Sequence, residues 1–378
     1  MKKTILLLAC ASMMATSAMA QMSVVKEAAK LTGSTKVEDL AKALDIIKPA
    51  LTNPETAQTA DAWFNAGKAS FGLYDQLLAL KSMNKEYDAN VMSSALMDGF
   101  NYLQKALPLD SVKETNKDGS FKMDKEGNVK IKTKFSKDII PLLTGHVNDV
   151  AQLGNEALQS EKWEVAAQAY DNYCNIITSP FGRANTVVGD STIAQVRFFE
   201  GYSQYQVKNF ADAFNNFSIA RSLGYTENQV VQYQTSCLAN LVQDMLDKKD
   251  YAGAHNFIDN ATAKDPTNAT LYDIKGFTLE LEKGIDEALP YYQKAVETDP
   301  NYANGYYDTG RVLYLQGTKV IADHPNDNNR QLADKIRPYF DKALPYLEKA
   351  AALDENNTKV KTIIDDINYK YEVMGIKK

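Results

Sequence analysis

The residues in this chain that could do chemistry are few and scattered. Histidine occurs at His146, His255 and His324, and none stands at ligand spacing from another His or a Cys. A zinc site needs several such donors converging on one ion, so each reads as a surface or helix-seam residue. Glu114, Asn116, Asp118 and Gly119 imitate the opening of a calcium-binding loop. The position that should carry the closing bidentate carboxylate is Lys125, with Glu126 one place late, so a solvated turn fits better. Carboxylate pairs such as Asp365-Asp366 and Asp244 with Asp247 fall in helical patterns and read as solvated faces. No glycine-rich phosphate loop, nucleophile elbow or HExxH stretch occurs. The expectation is a non-enzymatic chain without metal or cofactor.

What the sequence does carry is repetition. ALPYYQKAVETDP (288–300) is almost rewritten as ALPYLEKAAALDE (343–355). Gly276 lies twelve residues before Ala288, and Gly310 occupies the same kind of segment 34 residues further on. Ala288 and Ala343 are 55 apart, so the second unit repeats the first with 21 extra residues. These form a polar long insertion at about 315–337, interrupted by Pro325. The same template finds Gly201 with Phe210, Ala213, Phe217 and Ala220, and Gly154 with Trp163, Ala166 and Tyr170. Another unit has Tyr251, Ala254, Ile258, Ala261 and Pro266, with Val242 where a small residue is expected. The first, with Trp63, Gly67, Gly99, Leu103 and Ala106, is about 20 residues too long.

Small residues mark where two antiparallel helices cross closely, at Gly276 and Ala288. Tyr292 and Ala295 follow at helical spacing and are expected to fill the seam to the next pair. Asp299-Pro300 ends the helix, because proline disfavours helical geometry in the residue before it.

A 34-residue unit with a small residue in its first helix and Ala, aromatic, Ala and Pro in its second resembles the tetratricopeptide repeat (TPR). The resemblance implies an all-α, right-handed TPR solenoid of about six helix-pair units, with a small β-hairpin insertion and a C-terminal capping helix. In that family ligands generally lie along the concave face lined by the first helix of each pair. Carried over residue by residue, that face holds Phe64, Lys68 and Phe71, then Ala151, Asn155 and Leu158, then Phe198, Tyr202 and Tyr205. The last two units supply Phe277, Tyr307, Arg311 and Tyr314. Aromatics and Arg dominate binding energy at interfaces, although any one ring can instead pack between neighbouring helices. Chaperone-type TPRs grip a terminal carboxylate with repeated Lys and Asn. Only Lys68, Asn155 and Arg311 approximate that set, which argues against such a clamp.

The remaining segments fit around the array. MKKTILLLACASMMATSAMA has the charge, apolar core and Ala18-Met19-Ala20 ending of an export signal. Cleavage at Ala20/Gln21 would leave a periplasmic chain whose formal charge falls from −6 to −8 as Lys2 and Lys3 leave. The rival reading, a lipoprotein anchored at Cys10, leaves a very short apolar segment. Residues 21–58 read as an N-terminal helical pair, 59–112 as a repeat unit with an insertion, 113–137 as a β-hairpin turning at Glu126-Gly127-Asn128, 138–355 as the array and 356–378 as the cap. Cys174 and Cys237 fall in non-adjacent repeats and read as buried small hydrophobes. An acidic balance without basic clusters excludes nucleic acid. The expected role is a scaffold or adaptor binding another protein or peptide of the cell envelope along the aromatic groove. Glycan or small-ligand binding in that groove, and self-association into a homo-oligomer, are the two other classes kept open. The resemblance extends to exported TPR-only proteins of Gram-negative bacteria.

Overall fold

The computed structural model describes residues 22–376. The expected leader 1–20, its cleavage point and Cys10 lie outside the described residues. The chain divides into two compact units, one ending at Val230 and the other beginning at Val231. Both are built from antiparallel helix pairs, and the protein is all-α with one small β insertion.

In the first unit, α1 (22–31) and α2 (Val37–Thr52) precede the pair α3 (Ala60–Ser82) and α4 (Ala89–Leu109). The insertion follows, with β1 (Val112–Lys113) paired antiparallel to β2 (Ile131–Lys132). Isolated antiparallel bridges, Thr115–Phe121 and Met123–Val129, continue the pairing within the insertion. Next come α5 (Ser136–Gly145), the pair α6 (Val147–Gln159) and α7 (Trp163–Thr178), the short α8 (Pro180–Asn185), and the pair α9 (Asp190–Gln206) and α10 (Phe210–Ser222). The second unit holds most of α11 (Asn228–Asp247), followed by α12 (Tyr251–Lys264). Then follow α13 (Ala269–Lys283) with α14 (Ile285–Thr298), α15 (Ala303–Asp323) with α16 (Asn329–Leu353), and the capping helix α17 (Thr358–Val373).

Each pair closes on one recurrent contact. A β-carbon at Gly154 would lie 2.7 Å from the Tyr170 ring, one at Gly276 2.8 Å from Tyr292, and one at Gly201 3.0 Å from Phe217. In all three the large ring sits sixteen residues after the glycine. Tyr292 therefore covers Gly276 in its own pair and also packs with Val312 of α15, so it fills the seam to the next pair as expected. Packing at interior density leaves no room for a side chain beneath such a ring. The same spacing joins Val242 to Ile258, both buried, where two medium side chains replace none and a large one.

The two oversized units keep the contact and lengthen the helices. Gly67 meets Leu103 and Gly310 meets Leu347, at 2.5 and 2.6 Å for a built β-carbon. The 315–337 insertion is thus no loop. It extends α15 to Asp323 and starts α16 at Asn329, with a tight connection closed by an Asn328/Gln331 capping box. Leu332, Ile336 and Phe340 are buried four residues apart, so an apolar stripe outweighs the polar composition. Shared between two helices, 20 or 21 residues add about three turns of 3.6 residues to each, which returns the buried faces to register. The extended arms have their own close contacts, Gly317 under Phe340 and Gly99 under Phe71.

Cys174 and Cys237 are buried free thiols, and burial pushes each up to about 12. His146 stacks on Phe71 at 4.1 Å and meets Asp75 at 3.1 Å, a helix-seam role. Glu114 pairs with Lys122 at 3.0 Å, and Asp118 accepts from the Ser120 hydroxyl at 2.6 Å, so these carboxylates are engaged within the hairpin.

If the glycine and ring share one space, Gly154→Val should cost about 1–3 kcal/mol through overpacking. Tyr170→Ile alone opens a cavity. The double variant, imitating Val242 with Ile258, should cost less than the sum by about 1 kcal/mol. Urea unfolding measures this, and strict additivity would show that the two positions do not share the space.

Candidate functional site

The structure scatters the residues expected on the first-helix face. Phe64, Phe71 and Phe198 are buried and are corrected to core residues. Phe64 stacks on Phe135 at 4.3 Å, Phe71 meets Phe100 edge-on at 5.1 Å, and Phe198 stacks on Tyr225 at 4.7 Å. These rings cover apolar surface between helices, which offsets more free energy than an exposed position would. Tyr202 and Tyr205 are half-buried against Trp163 and Phe210, each at 5.6 Å. Asn155 is exposed and accepts a hydrogen bond from the Tyr170 hydroxyl at 2.8 Å.

In the second unit Phe277 is exposed, Tyr307 half-buried, and the Tyr314 hydroxyl donates to Asp366 at 2.7 Å. Arg311 is corrected from a partner-binding cation to an internal one. Its guanidinium donates to both Glu280 oxygens, at 2.9 and 2.7 Å, and its Nε donates to Asp308 at 2.9 Å. The Tyr292 hydroxyl also donates to Glu280, at 2.8 Å, so α13, α14 and α15 are tied at one point. Asp273 beside this network is pushed up to about 7, first by burial and then by the charge of Asp308.

The cavities of the first unit lie elsewhere, along α7. One cavity of about 470 Å³ is walled by α7, α9 and α10. A second, of about 450 Å³, is walled by α4 and α7, and Asp171 lines both. Such volumes lie within the usual range of ligand sites, but the walls are polar where most sites are apolar. On α7, Glu164, Gln168, Asp171 and Asn175 recur at helical spacing and form one stripe. Asp98, Asn101, Gln104 and Lys105 face it from α4; Arg197, Glu200 and Gln204 from α9; Asp212, Asn215 and Asn216 from α10. Five carboxylates and two cations line the pair of cavities.

The floor is tightly organised. Glu200 is 1% exposed, and its carboxylate accepts from Arg197 and from Asn216, both at 2.8 Å. Asn216 donates also to Gln204 at 2.8 Å and accepts from Arg197 at 3.1 Å. On the other side of Asp171, Gln104 donates to Asn172 at 2.6 Å. Burial pushes Glu200 up to about 7 against the opposing pull of Arg197, and it raises Asp171 as well. Gln168, Asn101 and Asn215 line the space with no hydrogen bond among the described residues. This arrangement can offer amide donors and acceptors together with excess negative charge. It supplies no paired nucleophile and base.

The sequence held a signal for this site. The stripe Glu164-Gln168-Asp171-Asn175 is legible at helical spacing, but an amide and acid stripe ordinarily reads as a solvated face. Only the placement of α4 on one side and of α9 and α10 on the other makes it a wall shared by two cavities.

Among solved structures the chain is similar to a TPR repeats protein from Bacteroides fragilis, at 19% identity and a TM-score of 0.36, over 59% of this chain and 98% of that one. It is similar to YrrB, described as a TPR protein with an unusual peptide-binding site, at 17% identity and a TM-score of 0.32, over 59% and 97%. MamA from Desulfovibrio magneticus RS-1 matches at 13% identity and a TM-score of 0.32, over 56% and 97%. At these values the likeness carries no argument about ligand or site. No protein-family model and no curated protein matches the chain.

Glu200 sets a pH signature. The native state keeps a proton up to about pH 7 that the unfolded carboxyl, with its ordinary value of 4.5, has already lost. Stability therefore falls as pH rises from about 4.5 to about 7. Glu200→Gln should flatten this fall relative to the parent by on the order of 2 kcal/mol. Unfolding midpoints at both ends of that window decide it, and parallel pH profiles would mean that Glu200 ionises normally.

Proposed function

We propose that this protein is a non-catalytic binding scaffold whose first unit holds an extended, basic segment of a partner protein along the groove formed by α4, α7 and α10. The observation that carries the reading is the pair of cavities meeting at Asp171, lined mainly by amides and carboxylates. An extended chain presents unpaired N–H and C=O groups at every residue. Asn and Gln side chains each supply both a donor and an acceptor, so a row of them can satisfy a main chain whatever its side chains. The excess of carboxylates over Arg197 and Lys105 then selects lysine and arginine, chiefly by steering encounter and rejecting acidic segments. This groove takes the place of the first-helix aromatic face, where Phe64, Phe71 and Phe198 are buried.

A peptide of alternating Lys and Ser, about eight residues long, is the direct probe, beside an otherwise matched Glu/Ser peptide. Calorimetry should show binding of the basic peptide alone, weakened about tenfold by Asp171→Lys, equivalent to about 1.4 kcal/mol. Binding of neither peptide, or binding indifferent to Asp171→Lys, would remove this function from the groove.

We further place the working protein in the cell envelope, on the support of Lys2-Lys3, the apolar run and Ala18-Met19-Ala20. Amino-terminal sequencing of protein recovered from a Gram-negative periplasmic extract should begin at Gln21. A start at Met1, or a lipid-modified Cys10, would overturn that placement.

A further inference from the structure

We propose that the β insertion between α4 and α5 is a docking tip for an anionic lipid surface. It is independent of the groove and uses none of its residues.

The insertion's apolar side chains are on the outside. Strand residues alternate between faces. The pairs Lys113–Ile131, Thr115–Phe121 and Met123–Val129 therefore bring Phe121, Met123, Val129 and Ile131 onto one face. Phe121, Met123 and Ile131 are 50, 54 and 58% exposed. Strands this short cannot build a core of their own, and nothing else in the described residues covers the face.

Charge identifies the occupant. Residues 112–135 carry seven lysines against four carboxylates, a local charge of +3 in a chain whose formal charge is −6. The rest of the chain therefore carries −9. Exposed apolar side chains among lysines match a surface that is anionic at headgroup level and apolar just beneath it. Lysine stems can lie along the apolar layer while their ammonium groups stay at the headgroups. Lys113 shows the geometry already, with its Nζ 5.2 Å from the centre of the Phe121 ring. The acidic remainder is repelled by the same surface, so the tip alone approaches. A partner strand would find only two or three residues of edge to pair with, which disfavours docking through the main chain.

The tip is also firmly mounted. At its base the buried Asp110 carboxylate accepts from the N–H groups of Lys134, Phe135 and Ser136, at 2.9, 2.8 and 2.7 Å, and from the Ser136 hydroxyl at 2.7 Å. Burial alone would raise this carboxyl, but these hydrogen bonds hold it below its ordinary value. The Phe64–Phe135 stack secures the same junction.

The test is vesicle flotation of residues 21–378, which contain every described residue and lack the apolar leader that would itself bind lipid. Vesicles of phosphatidylcholine with one-third phosphatidylglycerol are compared with pure phosphatidylcholine at about 0.1 M salt. Binding is expected only to the anionic vesicles. It should weaken about fivefold for each lysine removed in Lys113→Ala and Lys130→Ala, and vanish in the Phe121→Ser/Met123→Ser/Ile131→Ser variant. Absent flotation, or equal flotation of parent and triple variant, would overturn the proposal. So would a concentration-dependent mass in light scattering that the triple variant abolishes, because a second copy would then cover the face. Loss of the thermal transition in that variant would mean that the face is packed within the fold, and would overturn it equally.

Discussion

Everything in this molecule hangs on how closely two helices can pass. A glycine in the first helix of a pair lets a ring or leucine of the second lie directly over its backbone, as Tyr170 lies over Gly154 and Tyr292 over Gly276. That contact sets the distance between the helices and their relative register, because a large side chain fits over only one gap. It also fixes which face of the second helix points away. Once Tyr170 is turned inward, the 100° step of the helix puts Glu164, Gln168, Asp171 and Asn175 on the far side. The groove is in this sense a by-product of the crossing.

The same constraint explains why two units tolerate 20 or 21 additional residues. An extra segment inserted in one helix alone would rotate every following side chain and break the crossing. Divided between both helices it adds about three whole turns to each, so Gly310 still finds Leu347 and Gly67 still finds Leu103. The added arms then bury new stripes, such as Leu332, Ile336 and Phe340.

The repeat phase, the helix pairs and the hairpin turn were legible because each depends on spacing between a few residue types. The helical nature of the 315–337 segment was less so. Its polar composition and Pro325 suggested a loop, while the signal that decided the matter was a stripe of three apolar residues. The short helices α5 and α8 gave no repeat signal at all. The site was least legible, for a physical reason. A ring on a helix looks the same in sequence whether it binds a partner or fills a seam, and Phe64, Phe71 and Phe198 fill seams. Arg311 was identified as a prominent cation; Asp308 pairs with it at i,i+3 within α15, whereas Glu280 stands 31 residues away and becomes a partner only through the packing of α13 on α15.

Burial of Glu200 is the costly feature of the groove, and its cost bears on purpose. Taking a carboxylate out of water is expensive even beside a cation, and a well-packed apolar residue in its place would hold α7, α9 and α10 together with less penalty. Here a buried carboxyl is kept all the same, with Arg197 on one oxygen and Asn216 on the other. Asn216 in turn is held by Gln204, so four side chains are fixed in one arrangement at the floor of the cavity. A fully satisfied polar network specifies a single geometry more sharply than apolar packing does. Fixed donors and acceptors matter little for holding helices together and a great deal for meeting a main chain, whose own groups recur at set intervals. The expense therefore makes sense on a surface that must match another backbone, which is the role assigned to this groove.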